Sequence, residues 1–396
     1  MINETMTEKG HNSSVIRELF EFGRQRKAAV GEENVFDFSI GNPSVPCPDQ
    51  ITRSMVELLE LSNPVELHGY TSAAGDMEAR KAVADYINSE YSLGAEASDV
   101  YMTAGAAASL TIALKSVALE GEEVIVFTPY FPEYKVFIEN SGAKAVEVPV
   151  STEDFQIDFE ALEKAFSEKT AAVIINSPNN PTGAVLTEKT LEALGGFLRE
   201  KEKKYGKEIY LISDEPYREL VYGGAKAPFP AHYYDNTIIC YSYSKSLSLP
   251  GERIGYVMVS PKAVSRKKLF DTICGSGRSL GFVCAPSLLQ KVVAKHQGLT
   301  SDISAYEENR ALIYEMITSC GFEAVRPDGA FYLFVKSPSG DGNEFSERAK
   351  KYELLIVPSD SFGMTGYVRI SYCVSRKQIE NSKPAFEALA RSYGLI

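Results

Sequence analysis

Residues 237–259 have the sequence TIICYSYSKSLSLPGERIGYVMV. The apolar run TIICY predicts a strand, and a second strand begins at Arg253. A serine-rich turn between the two strands carries Lys245. Because ligands of open α/β sheets bind in crevices at the carboxyl ends of strands, we expect Lys245 to point into such a crevice.

Before this stretch, short apolar runs alternate with helical patterns. The candidate strands are VYMT at 100, EVIVF at 123, KAVEV at 144, AAVII at 171 and IYLIS at 209. Candidate helices between them include Ala107–Leu119, Phe159–Phe166 and Glu188–Tyr205. This alternation predicts an α/β fold, with a mostly parallel sheet between helices. Together with TIICY and RIGYVMV, the sheet has seven predicted strands.

The pattern differs at both ends of the chain. Residues Ser14–Arg26 predict an amphipathic helix within an N-terminal arm, residues 1–45, that packs with a small C-terminal domain. Residues 46–285 form the predicted large domain. Residues 286–396 predict a long connecting helix, from Ser287 to about Cys320, followed by a smaller α+β domain.

Composition excludes several classes of protein. The chain has 396 residues, of which 44% are hydrophobic, and a formal net charge of −12. Such an acidic balance argues against nucleic acid or an anionic membrane surface as the main partner. Because no apolar run reaches about 18 residues and no basic, apolar leader is found, we expect neither a membrane span nor a secretory signal.

The cysteines and histidines point away from disulfide and metal chemistry. Six cysteines are scattered without a CxxC pair, which is typical of reduced thiols in the cytoplasm. Four histidines lie far apart in sequence and form no HxxxH pair, so we expect no metal site.

Lys245 belongs to the pattern S-x-S-K-x(7)-R-x-G. An isolated SxSK is most often an exposed turn with a surface lysine, but the longer pattern is far more specific. A desolvated lysine beside other cations has a lowered pKa, and its free amine can attack an aldehyde. Ser242 and Arg253 are close in sequence and could bind a phosphate, the arginine with two parallel hydrogen bonds.

Three other segments place polar groups near strand ends. Asn180, in SPNNPTG, has an amide that could donate to a phenolate oxygen or a carboxylate, although such turns are common. Asp214, in IYLISDEPY, ends an apolar strand, where a carboxylate is costly unless it has a partner such as a pyridinium nitrogen. A helix cap is the alternative role for Asp214. Tyr217 follows three residues later. The run MTAGAAASL opens a helix whose first amides could approach a phosphate, although alanine-rich helix starts are commonplace.

These residues together resemble the cofactor site of the class I and II aminotransferases, enzymes of fold type I that use pyridoxal 5′-phosphate (PLP). The resemblance is to aspartate aminotransferase-like proteins and spans about residues 14 to 390. It implies that the large domain binds PLP, that Lys245 holds it as an imine and shuttles a proton, and that Ser242 and Arg253 bind its phosphate. The other implied cofactor contacts are Asn180, Asp214, Tyr217, Gly105, Ala106 and Ala107. At the last three positions the family often has a hydroxyl, so only backbone donors are expected here.

The same resemblance assigns four more residues. Phe131 would stack on the pyridine ring, although core packing is the alternative. Tyr70 would reach the phosphate of a neighbouring subunit, which implies a homodimer. Arg369, in YVRISY, would clamp the substrate α-carboxylate, and the alternative is an arginine on a surface strand. Gly41 belongs to the loop that would close over the substrate.

The implied reaction moves an amino group from an L-amino acid to a 2-oxo acid by a ping-pong mechanism. Some dicarboxylate-specific relatives use a lysine where this chain has Ala107, and others use an arginine some thirty residues after the cofactor lysine. Arg278 is close to that second position, so we hypothesise that it binds the distal carboxylate of aspartate or glutamate. A dimer-interface or surface arginine is the alternative.

Two other functions are compatible with the residues. A PLP-dependent C–S β-lyase of the same fold would need a similar site. A PLP-sensing transcription regulator is a remote alternative, because about forty residues before the first motif leave little room for a DNA-binding module.

Overall fold

The computed structural model describes residues 2–11, 15–224 and 226–396. Ser14, where the first predicted helix begins, lies outside the described residues. Contacts divide the chain into two compact units. The larger unit comprises Val45–Asn179 and Ala184–Ile303, and the smaller unit comprises Met1–Ser44, Asn180–Gly183 and Ser304–Ile396.

Strands and helices alternate along the chain. Among the described residues, the strands are β1 (Phe36–Asp37), β2 (Val100–Thr103), β3 (Glu123–Thr128), β4 (Lys144–Pro149), β5 (Thr170–Asn176), β6 (Tyr210–Asp214), β7 (Thr237–Ser242), β8 (Gly255–Val259), β9 (Tyr332–Lys336), β10 (Leu354–Leu355), β11 (Val357–Pro358) and β12 (Tyr367–Ser371). In the same residues, the α-helices are α1 (Glu4–His11), α2 (Val15–Val30), α3 (Asp49–Leu61), α4 (Pro64–His68), α5 (Met77–Tyr91), α6 (Ala106–Val117), α7 (Glu133–Ser141), α8 (Phe159–Ala165), α9 (Glu188–Tyr205), α10 (Tyr243–Ser246), α11 (Arg266–Leu280), α12 (Ser287–Lys295), α13 (Ile303–Ser319), α14 (Gly342–Lys350) and α15 (Arg376–Ser392).

The larger unit is built on a seven-stranded sheet with the order β2-β8-β7-β6-β5-β3-β4. Strands β3 to β7 pair in parallel, whereas β8 runs antiparallel to its neighbours β7 and β2. Every residue of β5 and of β7 is buried, as expected for parallel strands covered on both faces. The predicted α/β fold with a mostly parallel seven-stranded sheet is therefore confirmed.

Alternate residues of these strands supply two cores. Val124 of β3 belongs to a cluster that also contains Leu110 of α6, while the next residue, Ile125, belongs to a second cluster with Leu194 of α9. Because successive side chains of a strand point to opposite faces, each apolar strand can bind helices on both sides. Because helices cover both faces of the sheet, polar residues can lie at the ends of the strands.

The register of the strands aligns the polar residues at one edge of the sheet. Asp214, the last residue of β6, lies opposite Asn176 of β5 and Cys240 of β7. Gly255 of β8 pairs with Ser242 of β7 on one side and with Thr103 of β2 on the other. The loops that follow β2, β6 and β7 therefore begin at the same edge.

The smaller unit contains an antiparallel sheet with the order β11-β12-β9 and a parallel pair formed by β1 and β10. Helix α14 packs on β10, β11 and β12, and α15 packs on β1 and β10. This mixture agrees with the α+β character expected near the C-terminus. No helix in the described part of the chain is long and apolar enough to cross a membrane.

The single helix predicted from Ser287 to about Cys320 is wrong, because the structure has two helices there. Helix α12 ends at Lys295, and α13 begins at Ile303. Gly298 lies between them with a φ of +77°, a backbone conformation that ends a right-handed helix. A Cβ at this position would lie 2.9 Å from the ring of Tyr86, so glycine also permits a close approach. The domain boundaries at 45 and 285 stay predictions.

Candidate active site

Lys245 lies on α10, a helix of four residues that directly follows β7. The sequence predicted a turn here, and the structure has a short helix because Ser242 caps it: its Oγ accepts a hydrogen bond from the Ser244 amide at 3.2 Å. Ser246 is also held, since its Oγ lies 2.8 Å from the Tyr241 hydroxyl. Lys245 is half-buried between two buried serines. The lysine thus projects from a fixed backbone at the strand end.

Asp214 is a buried carboxyl, only 4% exposed, at the end of β6. Tyr134 of α7 donates a hydrogen bond to its Oδ2 at 2.5 Å, whereas its Oδ1 is buried without a partner in the described residues. Burial raises the pKa of Asp214 to about 7; the Tyr134 hydroxyl opposes this shift, and the charge of Glu215 adds to it. A buried oxygen without a donor is costly, so this site suits a ligand that brings a cationic N–H.

Gly105, Arg253 and Ser242 lie together at the start of α6. The φ of Gly105 is +86°, and a Cβ there would lie 2.7 Å from Nη2 of Arg253. Arg253 is exposed and donates from Nη1 to the Pro250 carbonyl at 2.8 Å and from Nη2 to the Ala104 carbonyl at 3.3 Å. Ser242 is close to Gly105 because Gly255, without a side chain, lies between their Cα atoms.

This cluster has the chemistry of a phosphate site. The first amides of α6, at Ala106 and Ala107, have no partner within a helix and carry the positive end of its dipole. Arg253 adds a full positive charge, and Ser242 and Ser244 add two hydroxyls whose oxygens are 2.6 Å apart. Because Ala106 and Ala107 lack hydroxyls, the hydroxyl donors come from the lysine segment. The residues therefore fit the phosphate of PLP, and Asp214 fits its pyridine nitrogen.

Aromatic residues lie beside Asp214. Phe131 is half-buried, and its ring contacts that of Tyr134 edge-on, with centroids 5.7 Å apart. Tyr217 is buried three residues after Asp214, and its backbone carbonyl accepts a hydrogen bond from Leu220 at 2.8 Å. Tyr217 is therefore close to the end of β6, and Phe131 packs against the ring whose hydroxyl donates to Asp214. The stacking role of Phe131 and the donor role of Tyr217 stay predictions.

Two predicted residues lie at the surface of the larger unit. Tyr70 is 99% exposed, and Arg278 is exposed on the last turn of α11. Neither side chain forms a hydrogen bond or an ion pair with another described residue. Their predicted roles therefore need a partner molecule or a substrate.

The smaller unit holds the predicted carboxylate clamp. Arg369 of β12 is 2% exposed and donates from Nη1 to Oδ1 of Asn180 at 3.0 Å and from Nη2 to the Ser39 carbonyl at 2.6 Å. Its guanidinium also lies 4.6 Å from the ring centre of Tyr332, while its Nε is buried without a partner in the described residues. The guanidinium forms no ion pair with a described carboxylate, so it suits an anionic ligand.

Gly41 lies in the same unit, two residues after Ser39. A Cβ at Gly41 would lie 2.0 Å from the Tyr332 hydroxyl, so a larger residue would require the Tyr332 ring to move. The sequence motifs pointed to Gly41, Asn180 and Arg369 but not to Ser39, whose backbone carbonyl accepts a hydrogen bond from Arg369. They also missed Tyr134, although the spacing of Phe131 and Tyr134 in FPEY places both rings on one turn.

Comparison with known proteins identifies the family. The family model for aminotransferase class I and II matches residues 33–383. The chain is 30% identical to aromatic-amino-acid aminotransferase 2 of Thermococcus litoralis over 97% of both chains, and 29% identical to the aspartate aminotransferase of Pyrococcus abyssi over 96% of both.

Solved structures give the same result. A crystal structure of an amino transferase from Eubacterium rectale is 53% identical, with a TM-score of 0.98 and coverage of 99% of both chains. Aspartate aminotransferase from Thermus thermophilus with maleate is 25% identical, with a TM-score of 0.85 over 98% of this chain and 100% of that one. The chain belongs to the class I and II aminotransferase family, whose members use PLP. It is an aminotransferase, as the sequence predicted.

Proposed function

We propose that this chain binds PLP through Lys245 and uses it to move an amino group from an L-amino acid to a 2-oxo acid. The observation that carries the proposal is the pairing of two features at one edge of the sheet. Asp214 presents a buried oxygen that accepts from no donor among the described residues, and the start of α6 presents amides beside Arg253. A ligand with a pyridinium nitrogen and a phosphate satisfies both.

Each residue then has a task that follows from its chemistry. Bound PLP supplies an electron sink for the charge that develops when the substrate loses its Cα proton. Asp214 stabilises the proton on the pyridine nitrogen, and Tyr217 and Asn180 donate to the ring oxygen. Lys245, half-buried on α10, holds and returns the Cα proton through its amine. Ser242, Arg253 and the first amides of α6 anchor the phosphate.

The substrate α-carboxylate is assigned to Arg369. Its guanidinium is already oriented by Asn180 and by the Ser39 carbonyl, and its Nε remains without a partner in the described residues. Preorganised donors of this kind lose little entropy when they bind a carboxylate. The loop at Gly41 belongs to the same unit and would close over the substrate.

For the side chain of the substrate we propose a dicarboxylate, aspartate or glutamate, bound through Arg278. Support comes from the exposed guanidinium of Arg278 and from relatives named aspartate aminotransferases, one of them solved with the dicarboxylate maleate. Another relative is named an aromatic-amino-acid aminotransferase, so aromatic amino acids are the second class of donor to test. Ala107 offers no cation at the position where other dicarboxylate-specific relatives have a lysine.

A screen of amino donors with 2-oxoglutarate as acceptor tests the proposal. We expect the chain to form glutamate from 2-oxoglutarate, with aspartate among the best donors. The β-lyase alternative is separated by its products, because pyruvate and ammonia from a cysteine conjugate would appear without a 2-oxo acceptor. Release of those products with no glutamate formation would contradict the proposal.

We also propose a homodimer in the cytoplasm. Tyr70 is 99% exposed, and exposed apolar side chains lie near it in sequence at Leu61, Val65 and Met77. Such a surface favours contact with another protein, and a second copy would explain the predicted role of Tyr70. The cytoplasm is supported by the six cysteines, which form no disulfide among the described residues. Light scattering on the purified chain would test the dimer.

A further inference from the structure

Tyr134 contacts two residues that the proposed function places against the same ring. It is the second residue of α7 and is 2% exposed. Its hydroxyl donates to Oδ2 of Asp214 at 2.5 Å, and its ring meets that of Phe131 edge-on at 5.7 Å. Its backbone amide also donates to the Phe131 carbonyl at 3.0 Å. Sequence motifs assigned roles to Asp214 and Phe131 but none to Tyr134.

The hydrogen bond to Oδ2 fixes the plane of the Asp214 carboxyl. A carboxylate can rotate about its Cβ–Cγ bond, and only Oδ1 is left without a partner in the described residues. With Oδ2 held by Tyr134, Oδ1 is the oxygen that remains for a ligand. A hydrogen bond to a buried charged group is also stronger than one between neutral groups, so the phenol favours the ionised carboxyl.

The phenol is suited to this task because it stays a donor. Burial and the neighbouring charge of Asp214 raise the pKa of Tyr134 well above its usual value, so it keeps its proton at neutral pH. Other titratable groups that face this pair are Glu215, Tyr217 and the buried thiol of Cys240. None of these three is a cation, and the hydroxyl that donates to Oδ2 of Asp214 is that of Tyr134.

We propose that Tyr134 is a positioning residue for the cofactor, which orients the Asp214 carboxyl toward the pyridine nitrogen and holds the Phe131 ring over the pyridine. The inference rests on the proposed function, because it takes PLP as the ligand. It goes beyond that function by assigning a task to a residue that touches neither the substrate nor the phosphate. Tyr134 acts on the ring through two neighbours at once.

The experiment compares Tyr134→Phe with Tyr130→Phe in the full chain. Tyr130 is a matched control, since it is 5% exposed, its ring stacks on Tyr134, and its hydroxyl donates to Glu147 at 2.7 Å. Each variant loses one phenol–carboxylate hydrogen bond from the same segment and keeps its ring. Only Tyr134→Phe changes the surroundings of Asp214. The readouts are the PLP dissociation constant of the apo protein, the absorption spectrum of bound PLP as a function of pH, and kcat and KM.

We expect Tyr134→Phe to weaken PLP binding roughly tenfold, as the loss of a hydrogen bond to a charged group predicts. The pH dependence of the absorption spectrum of bound PLP should shift. The fold-decrease in kcat should be larger than the fold-change in KM for the amino donor. Tyr130→Phe should match the wild type in all three. In an Asp214→Asn background, removing the Tyr134 hydroxyl should have no further effect on PLP affinity, because the two residues act as a unit.

Several results would overturn the inference. Wild-type PLP affinity and spectrum in Tyr134→Phe would do so, as would additive losses in the Tyr134→Phe, Asp214→Asn double variant. A Tyr134→Phe chain that does not fold would place the hydroxyl in folding rather than in cofactor binding. Failure of the proposed function is distinct, because the wild-type chain itself would then not bind PLP.

Discussion

The guanidinium of Arg369 donates to Oδ1 of Asn180 at 3.0 Å although 189 residues separate them in the chain. Asn180 follows β5 and Arg369 lies in β12, yet both belong to the smaller unit. The hydrogen bond orients the arginine before any substrate arrives. An asparagine amide can accept such a hydrogen bond through its oxygen and donate through its nitrogen.

Replacing Arg369 should weaken the binding of every amino donor. In Arg369→Gln we expect kcat/KM to fall roughly a hundredfold or more, because one partner of a buried charge pair is lost. Arg369→Lys should recover only part of this loss, since an ammonium cannot make two parallel hydrogen bonds. Steady-state kinetics with two donors measures the effect, and PLP affinity serves as the control. Unchanged kcat/KM in Arg369→Gln would contradict the assignment.

Gly105→Ala should impair the proposed phosphate site, which Gly105, Arg253 and Ser242 form at the start of α6. The new Cβ would lie 2.7 Å from Arg253, and the φ of +86° is strained for alanine, at a cost of about 1–2 kcal/mol in stability. Gly121→Ala is the matched control, because its φ is +83° and a Cβ there would meet nothing within 4 Å. Both variants should lose stability in thermal unfolding, and only Gly105→Ala should also lose PLP affinity. Equal PLP affinity in the two variants would argue against this phosphate site.

The apo protein should become less stable relative to an Asp214→Asn variant as the pH rises. The folded pKa of Asp214 is raised to about 7 from 3.8, so the folded state holds the proton more tightly than the unfolded state. Its contribution to stability is therefore fully present below about pH 4 and is lost as the pH rises through about 7. Between pH 5 and 7 the loss is at most about 1.4 kcal/mol per pH unit.

Urea unfolding of both apo proteins at pH 5 and pH 8 measures this difference. Bound PLP should reduce it, because a pyridinium partner favours the ionised carboxyl. A stability difference between wild type and Asp214→Asn that does not change with pH would show that Asp214 does not titrate in this range.

Arg278→Ala tests the substrate proposal. If Arg278 binds the distal carboxylate, the variant should lose activity toward aspartate relative to alanine, which has no such group. We expect a relative loss of at least about tenfold, as for removal of one charged contact. Paired rates with aspartate and alanine give the ratio directly. An unchanged ratio would favour the alternative of an interface or surface arginine.

Local sequence patterns predicted the sheet because each strand is a short apolar run bounded by turn residues. β5 and β7 are such runs, and the polar residue that ends β6, Asp214, is visible in the sequence as a carboxylate after IYLIS. The spacing of Lys245, Ser242 and Arg253 placed them on one segment. Local information was sufficient for these features because the residues are neighbours in the chain.

Features that depend on distant contacts could not be predicted in the same way. The hydrogen bond from Tyr134 to Asp214 joins residues 80 positions apart, and the bond from Arg369 to the Ser39 carbonyl joins residues 330 apart. Every residue has a backbone carbonyl, so the identity of Ser39 does not reveal that its carbonyl accepts this hydrogen bond. The break between α12 and α13 was missed because one glycine, Gly298, outweighs the helical pattern on both sides.

The most direct test of the account is to find which lysine carries PLP. The purified holoenzyme is treated with borohydride, which reduces a lysine–PLP linkage to a stable amine, and its peptides are analysed by mass spectrometry. The account predicts a pyridoxyl group on Lys245, and no imine absorption and almost no turnover in Lys245→Ala. A pyridoxyl group on a different lysine, or normal turnover in Lys245→Ala, would contradict it.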